Sequence, residues 1–291
     1  MTATPEPIDH IERWRRIVVA RREQHDAICA AQGRTTGDYW GRRAEGFRKF
    51  VQEAARNTDP FLECLRQRLR AQDDVLDVGA GTGRHTSALA PQVRHITALD
   101  PSEAMLAFLH EDIAAQGLNN VDVIAGAWPD AAERAPQVDV AISAHVVYPI
   151  EDIVPFLRAL DGHARRYCFL NLMAGQPWFD QLDLWEAVHG EARMPQPTYI
   201  EVVNVLHQLG CLANVEIVFV ETPRVFEGLD EAAERFSETV AAGEDPERVA
   251  RLRAALQERL QPLDGGRLAF PRGRYPIGTV WWEAGALQNR G

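Results

Sequence analysis

The chain has 291 residues, 46% of them hydrophobic and 25% charged, and a formal net charge of −11, which is ordinary globular composition. That acidity argues against a broad nucleic-acid footprint, which needs a basic face, and against docking on anionic lipid. The longest mostly apolar run, 138–150, contains Asp139 and His145 and is too short to cross a bilayer.

Cys29, Cys64, Cys168 and Cys211 are scattered without C-x-x-C spacing, the usage expected of reduced thiols in a cytoplasmic protein with no metal site. The first residues carry Asp9, Glu12 and Arg13 without an apolar core, so no signal peptide is expected. The length suits one large α/β domain with an appended lobe, or two small domains.

In chain order, Ile8, Ile11, Trp14, Ile17 and Val18 recur at helical spacing and predict a helix over 8–33 that stops at Gly33. A turn leads to a second helix, 39–55, with Asp38 placed to cap it. A third, 59–71, has Asp59 as its cap and Pro60 at its first position, where proline is favoured. Alternation then begins, with strands at 74–80, 94–100, 121–127, 138–148 and 165–173 and helices at 83–93, 102–117 and 151–164. Such a pattern implies a parallel sheet with right-handed crossovers. Afterwards come an irregular Trp- and Pro-containing excursion (174–197), a helix ending at Gly210, a strand (214–221), a charged helical insertion (228–262) and a closing strand (275–285).

The stretch DDVLDVGAGTGRHT, 73–86, runs from a buried strand into glycines two apart. Glycine permits a sharp turn and close approach of a ligand to the backbone, and the crevice beyond the carboxyl ends of parallel strands is where open α/β sheets bind ligands. A dinucleotide fingerprint needs glycines at its first, third and sixth places. Here the sixth place is Arg84 and the fifth is Gly83, which counts against a nicotinamide-dinucleotide dehydrogenase. Asp100 ends the second strand at the distance where a carboxylate accepts both ribose hydroxyls of a nucleoside; the other reading is that Asp100 or Ser102 caps the next helix.

VLDVGAGTG, ALDPSEAML, VIAGAWPDA and VDVAISAHVVY, in that order and spacing, resemble the motifs of class I S-adenosylmethionine (SAM)-dependent methyltransferases over about residues 35–221. The resemblance implies a doubly wound, Rossmann-like seven-stranded sheet of order 3-2-1-4-5-7-6 with its last strand antiparallel. It divides the chain into an N-terminal helical lid segment, 1–58, and a methyltransferase domain, 59–291, carrying the 174–197 excursion and the 228–262 insertion. It implies SAM as cofactor and S-adenosylhomocysteine as product. Gly79, Ala80, Gly81 and Gly83 would wrap the methionine part, with Asp77 nearby; Asp100 would hold the ribose, and Pro101 and Met105 would flank the adenine. Ala127 and Ala144 would line the cofactor pocket. Trp128 stands where the family usually places an acid, and either covers the adenine edge or packs. YWGRRAEGF, 39–47, resembles the family's helix over the cofactor, so Tyr39 and Trp40 would close on SAM unless they are plain core.

Methyl transfer is an in-line displacement with an excellent leaving group, so alignment and desolvation matter more than a fixed catalytic triad. The acceptor should approach the end of the fourth strand, where His145 could deprotonate a hydroxyl or thiol or merely line the pocket, with Tyr148 beside it. His85 could touch the SAM carboxylate. No N-P-P-Y-type tetrad is present, which argues against methylation of exocyclic base nitrogens. The expected partner is a small-molecule acceptor, held among residues of the excursion, with no nucleic acid and no membrane. The insertion would cap the site or form a homodimer face. A SAM-binding protein without turnover and a protein acceptor stay open.

Overall fold

The computed structural model describes residues 7–34, 44–46, 48, 59–175, 179–221, 225–271 and 274–288, the side chains of 179–182 excepted. Tyr39 and Trp40, and with them most of the expected lid helix, lie outside the described residues.

The first helix, α1 (His10–Ala31), is capped by Asp9, whose carboxylate accepts from the N–H groups of Ile11 and Glu12. α2 (Pro60–Arg66) starts on Asp59 in the same way, with Pro60 in its first turn. Five strands and three helices then alternate: β1 (Asp74–Val78), α3 (Arg84–Leu89), β2 (His95–Asp100), α4 (Glu103–Gln116), β3 (Val121–Ala125), β4 (Val138–Ala144), α5 (Ile153–His163) and β5 (Ala164–Met173). Further on come α6 (Phe179–His189), α7 (Tyr199–Gln208), β6 (Asn214–Glu221), β7 (Val225–Phe226), α8 (Leu229–Ser237), α9 (Pro246–Arg259), β8 (Gln261–Pro262), β9 (Leu268–Ala269) and β10 (Arg274–Glu283).

The main sheet has the order β3-β2-β1-β4-β5-β10-β6. The first five strands are parallel, and β10 lies antiparallel between β5 and β6. This is the Rossmann-like order expected, with the closing strand delayed by the insertion. β1, β2 and β4 are buried on both faces along almost their whole length, as the central strands of a parallel sheet are. Leu76, Val78, Leu170, Val280 and Trp282 face a core shared with α1, α5 and α7. Val75, Ile96, Val140, Ile142 and Phe169 face another with α2 and Leu89 of α3.

A separate hydrophobic core forms a lobe. Cys29 of α1, Leu184, Trp185 and Val188 of α6, Phe226 of β7, Phe236 of α8, and Leu252 and Leu256 of α9 are buried together, beside a small β7-β9-β8 sheet. Excursion and insertion, separate stretches in the sequence, are thus one body. α1 belongs to both bodies, since Trp14 and Val18 lie in the main core and Cys29 in the lobe. Among the described residues no helix is long and apolar enough to cross a membrane.

Candidate active site

β1 ends at Val78, and the chain turns through residues 79–83 into α3. Gly79, Gly81 and Gly83 have φ of +76°, +56° and +86°, a region that costs other residues about 1–2 kcal/mol. A Cβ at Gly79 would run into Val146, and one at Gly83 into Leu109 of α4. Ligand access, the reason read from the sequence, is therefore joined by a second one: the protein's own packing needs two of these glycines bare.

Asp100 ties the loop to the neighbouring strand. Its Oδ2 accepts from Gly81 N–H at 2.9 Å and its Oδ1 from Ser102 N–H at 2.8 Å. Burial raises this carboxyl, the two backbone donors lower it, and the charge of Asp77 raises it further. The helix cap is Ser102, which accepts from Met105 N–H, so Asp100 is left to the loop, and each oxygen keeps a lone pair beyond these bonds. Asp77 is buried under the loop, where Oδ2 accepts from the Thr86 hydroxyl at 2.7 Å; burial raises its carboxyl against the opposing charge of His85. Ala80 and Met105 are buried, Pro101 and Ala127 exposed, and Ala144 intermediate.

Of the two expectations for Trp128, a cover over the adenine edge or a packing residue, the structure shows packing. The residue is 6% exposed and lies in the core shared with α5, its indole N–H donates to Phe156 O at 3.2 Å, and its ring packs edge-on against His163. Packing has claimed this side chain.

Across the crevice β4 stops at Ala144 rather than running on to 148. His145 has a φ of +61° and donates its backbone N–H to Asn171 O at 2.8 Å. Its Nδ1 lies 3.0 Å from the Tyr148 hydroxyl, which accepts from Met173 N–H at 2.9 Å. All three groups are satisfied when Tyr148 donates to a neutral Nδ1, an assignment made from the network that leaves the imidazole proton on Nε2. Burial, assisted by the charges of Arg84 and His85, pushes His145 down to about 3. Burial also raises the Tyr148 phenol above its ordinary value.

Beside His145 stands a group that sequence reasoning met only in parts, with Asp59 as a cap and His85 as a lone candidate. Asp59 Oδ2 is 2.8 Å from Arg84 and 3.3 Å from His85 Nε2. Burial alone would raise the Asp59 carboxyl, but the hydrogen bond and charge of His85, together with Arg84, hold it well below the usual range. Three further polar atoms were missed: Thr82 Oγ1 in the loop, Ser143 Oγ near the end of β4 and Asn171 Oδ1 in β5 are buried with no hydrogen-bond partner. A polar residue inside the apolar run CFLNLM is the signal that could have found Asn171.

Parallel strands of this order, with a glycine loop leaving β1 and a carboxylate ending β2, define the fold of class I methyltransferases. Residues 75–165 match the family model described as a methyltransferase domain. The YcgJ protein of Bacillus subtilis superposes with a TM-score of 0.51 at 15% identity, covering 75% of this chain and 96% of that one. A Bacillus halodurans protein, provisionally described as a methyltransferase, superposes at 0.52 and 15% identity, covering 77% and 97%. In sequence, an uncharacterized protein of Haemophilus influenzae is 29% identical over 185 residues, 63% of this chain. Protein-L-isoaspartate O-methyltransferase 1 of a Polaromonas species is 34% identical over 80 residues, 26% of this chain. The chain spans 66% and 33% of the lengths of these two relatives.

Proposed function

We propose that this chain is a SAM-dependent methyltransferase acting on a small-molecule acceptor. The observation that carries the reading is the bond from Gly81 N–H to Asp100, which fixes a carboxylate at the rim of a glycine-rich loop. When bound, SAM supplies an electrophilic methyl on a sulfonium. The residues fit such a group. Asp100 has free lone pairs for ribose hydroxyls, the bare loop lets the methionine portion approach, and the orphaned oxygens of Thr82 and Asn171 await polar partners. Gly79, Ala80, Gly81 and Gly83 hold the cofactor in this reading, with Pro101, Met105, Ala127 and Ala144 around it and Asp77 holding the loop from beneath.

His145 and Tyr148 face the acceptor as orienting groups. An imidazole whose conjugate acid is held near 3 is a weak base at neutral pH, so the acceptor arrives as a free nucleophile and His145 Nε2–H donates to it or to its neighbour. Alignment and exclusion of water then do the catalytic work. A small acceptor is supported by the net charge of −11 and by how the lobe is tethered. Trp14 Nε1 donates to Ile150 O at 2.7 Å and Arg22 pairs with Glu151, so α1 fixes the lobe beside the turn that carries His145.

Thermal unfolding with SAM, S-adenosylhomocysteine and NAD tests the cofactor. The two adenosyl sulfur compounds should raise the midpoint, as ligands of the native state do, and NAD should not. Transfer of a labelled methyl group to metabolite fractions should then yield a small labelled product. Binding without any labelled product would leave only a SAM-binding protein.

A further inference from the structure

The outermost strand β6 is unguarded. It pairs with β10 over eight residues without a bulge, its other edge carries no strand among the described residues, and it contains no Lys, Arg or Pro, its charges being Glu216 and Glu221. Natural edge strands are normally blunted by such residues or by bulges. The opposite edge is treated differently, because β3 has five residues and the Arg134 guanidinium donates to Ala125 O at its end.

Val215, Ile217 and Phe219 alternate along β6 and are 38%, 44% and 54% exposed, with Leu212 just ahead at 80%. They share a face with Val280, Gly278 and Pro276 of β10. α7 covers that face only as far as Gly278, against which Tyr199 packs; the next residue, Ile200, is 42% exposed. Five of the eight exposed large apolar side chains among the described residues therefore gather at this one margin. Arg274 lies over the Phe219 ring at 5.3 Å and shields one side of it.

We propose that the occupant of this edge is a second copy of the chain, with β6 pairing antiparallel to β6 across a two-fold axis at Ile217. The residue pattern selects both the occupant and the register. With Ile217 opposite itself, Val215 meets Phe219 of the partner subunit, so the apolar stripe covers its own copy. In the same register Glu216 faces Val218 of the partner subunit. Moving the axis to residue 216 sets two glutamates directly opposite, which destabilises a strand pair. Moving it to 218 sets Glu216 against Val220 of the partner subunit and Val215 against Glu221 of the partner subunit, two glutamate–valine pairings where the axis at 217 makes one. An odd shift puts the two apolar stripes on opposite faces of the joined sheet. The apolar stripe is thus covered by its own copy, with the fewest glutamates set against apolar residues, in one register, as an isologous interface requires, and the two sheets join into one.

Analytical ultracentrifugation of the full chain should give a species of twice 32.6 kDa. Ile217→Lys places two ammonium groups on the axis and should weaken association roughly tenfold or more, the equivalent of about 1.4 kcal/mol. SAM affinity should be unchanged, because β6 lies beyond β10 from the crevice. In Ile217→Cys the two thiols fall within disulfide reach of an antiparallel pair, and the chain's own four cysteines are buried. Mild oxidation by glutathione disulfide should therefore link this near-isosteric variant into a dimer and leave the unaltered chain unlinked. A monomer at every concentration, a dimer that survives Ile217→Lys, or a dimer in which I217C does not cross-link would each overturn the proposal.

Discussion

The parallel half of the sheet and the helical lobe are built by different rules. From β1 to β5 each strand is followed by a short crossover back to the sheet, so neighbours in space are near neighbours in sequence except where β1 meets β4. The lobe gathers residues around 29, 184–188 and 226–270 into one core and must close long loops before any contact forms. Positional precision is concentrated in the first region, where two glycines, a carboxylate and two backbone amides fix the loop within hydrogen-bond tolerances. In the lobe the requirement is shape, met by Leu, Ala and Phe in a shared core, and α1 carries that shape to the crevice.

If the two bodies are as separable as this contrast implies, the heaviest blow to the lobe should leave the crevice intact. Trp185 is 1% exposed, with the Arg193 guanidinium 3.6 Å above its ring. Trp185→Ala should cost about 3–5 kcal/mol of stability, as truncated core aromatics do, while SAM affinity measured well below the unfolding temperature stays the same. The indole N–H is buried without a partner, so Trp185→Phe, which removes that unpaired donor, should cost much less. Loss of SAM binding in a folded Trp185→Ala protein would show that lobe and crevice are one unit.

The same contrast explains what the sequence made legible. Strand–helix alternation and the glycine spacing are short-range signals, and they locate the parallel strands and the loop at 79–83, while the strand order came from the family resemblance. Asp100 was readable because it ends the second strand at a recurring distance from the first glycine of the loop that leaves β1. The lobe was not readable as a body. Its α6 and α9 meet across a long sequence separation, and the β7-β9-β8 sheet is made of two-residue strands that leave no periodicity. Trp128 shows the limit inside the well-read region, since a tryptophan after β3 reads alike whether it covers a ligand or donates to Phe156. Asp59 could be recognised as a cap from Asp-Pro, whereas its pairing with His85 depends on how α2 approaches α3.

Within the loop a smaller change should act in the opposite sense to the lobe substitution. Gly83→Ala must adopt a φ of +86° and displace the Leu109 side chain, at about 1–3 kcal/mol. Here SAM affinity should fall together with stability, because α3 and the loop share that residue. Asp100→Ala removes an acceptor rather than a backbone fit. Calorimetric titration should find SAM bound about 1–3 kcal/mol more weakly, the cost of unmaking hydrogen bonds to a charged group. Unaltered affinity would remove the ribose assignment while leaving the fold untouched.

The subtlest difference concerns pH. His145 has a folded pKa near 3 against an ordinary 6.5. As pH falls below 6.5 the unfolded chain takes up a proton on this imidazole, and the folded protein does not follow until about pH 3. The resulting stability is full above 6.5 and is lost on acidification between those values, at up to about 1.4 kcal/mol per pH unit from this single group. Asp100 and Asp77, whose carboxyls are raised by burial, act in the opposite direction near the acid end, so the slope of the whole protein cannot isolate His145. The difference from His145→Asn can, because asparagine tolerates a left-handed backbone and does not titrate. Urea unfolding across this range should give a shallower pH dependence for the variant and a constant difference between the two proteins above 6.5. Parallel profiles would mean that His145 ionises as freely in the folded protein as in water, and the neutral, Tyr148-bound imidazole would have to be abandoned as the group that orients the acceptor.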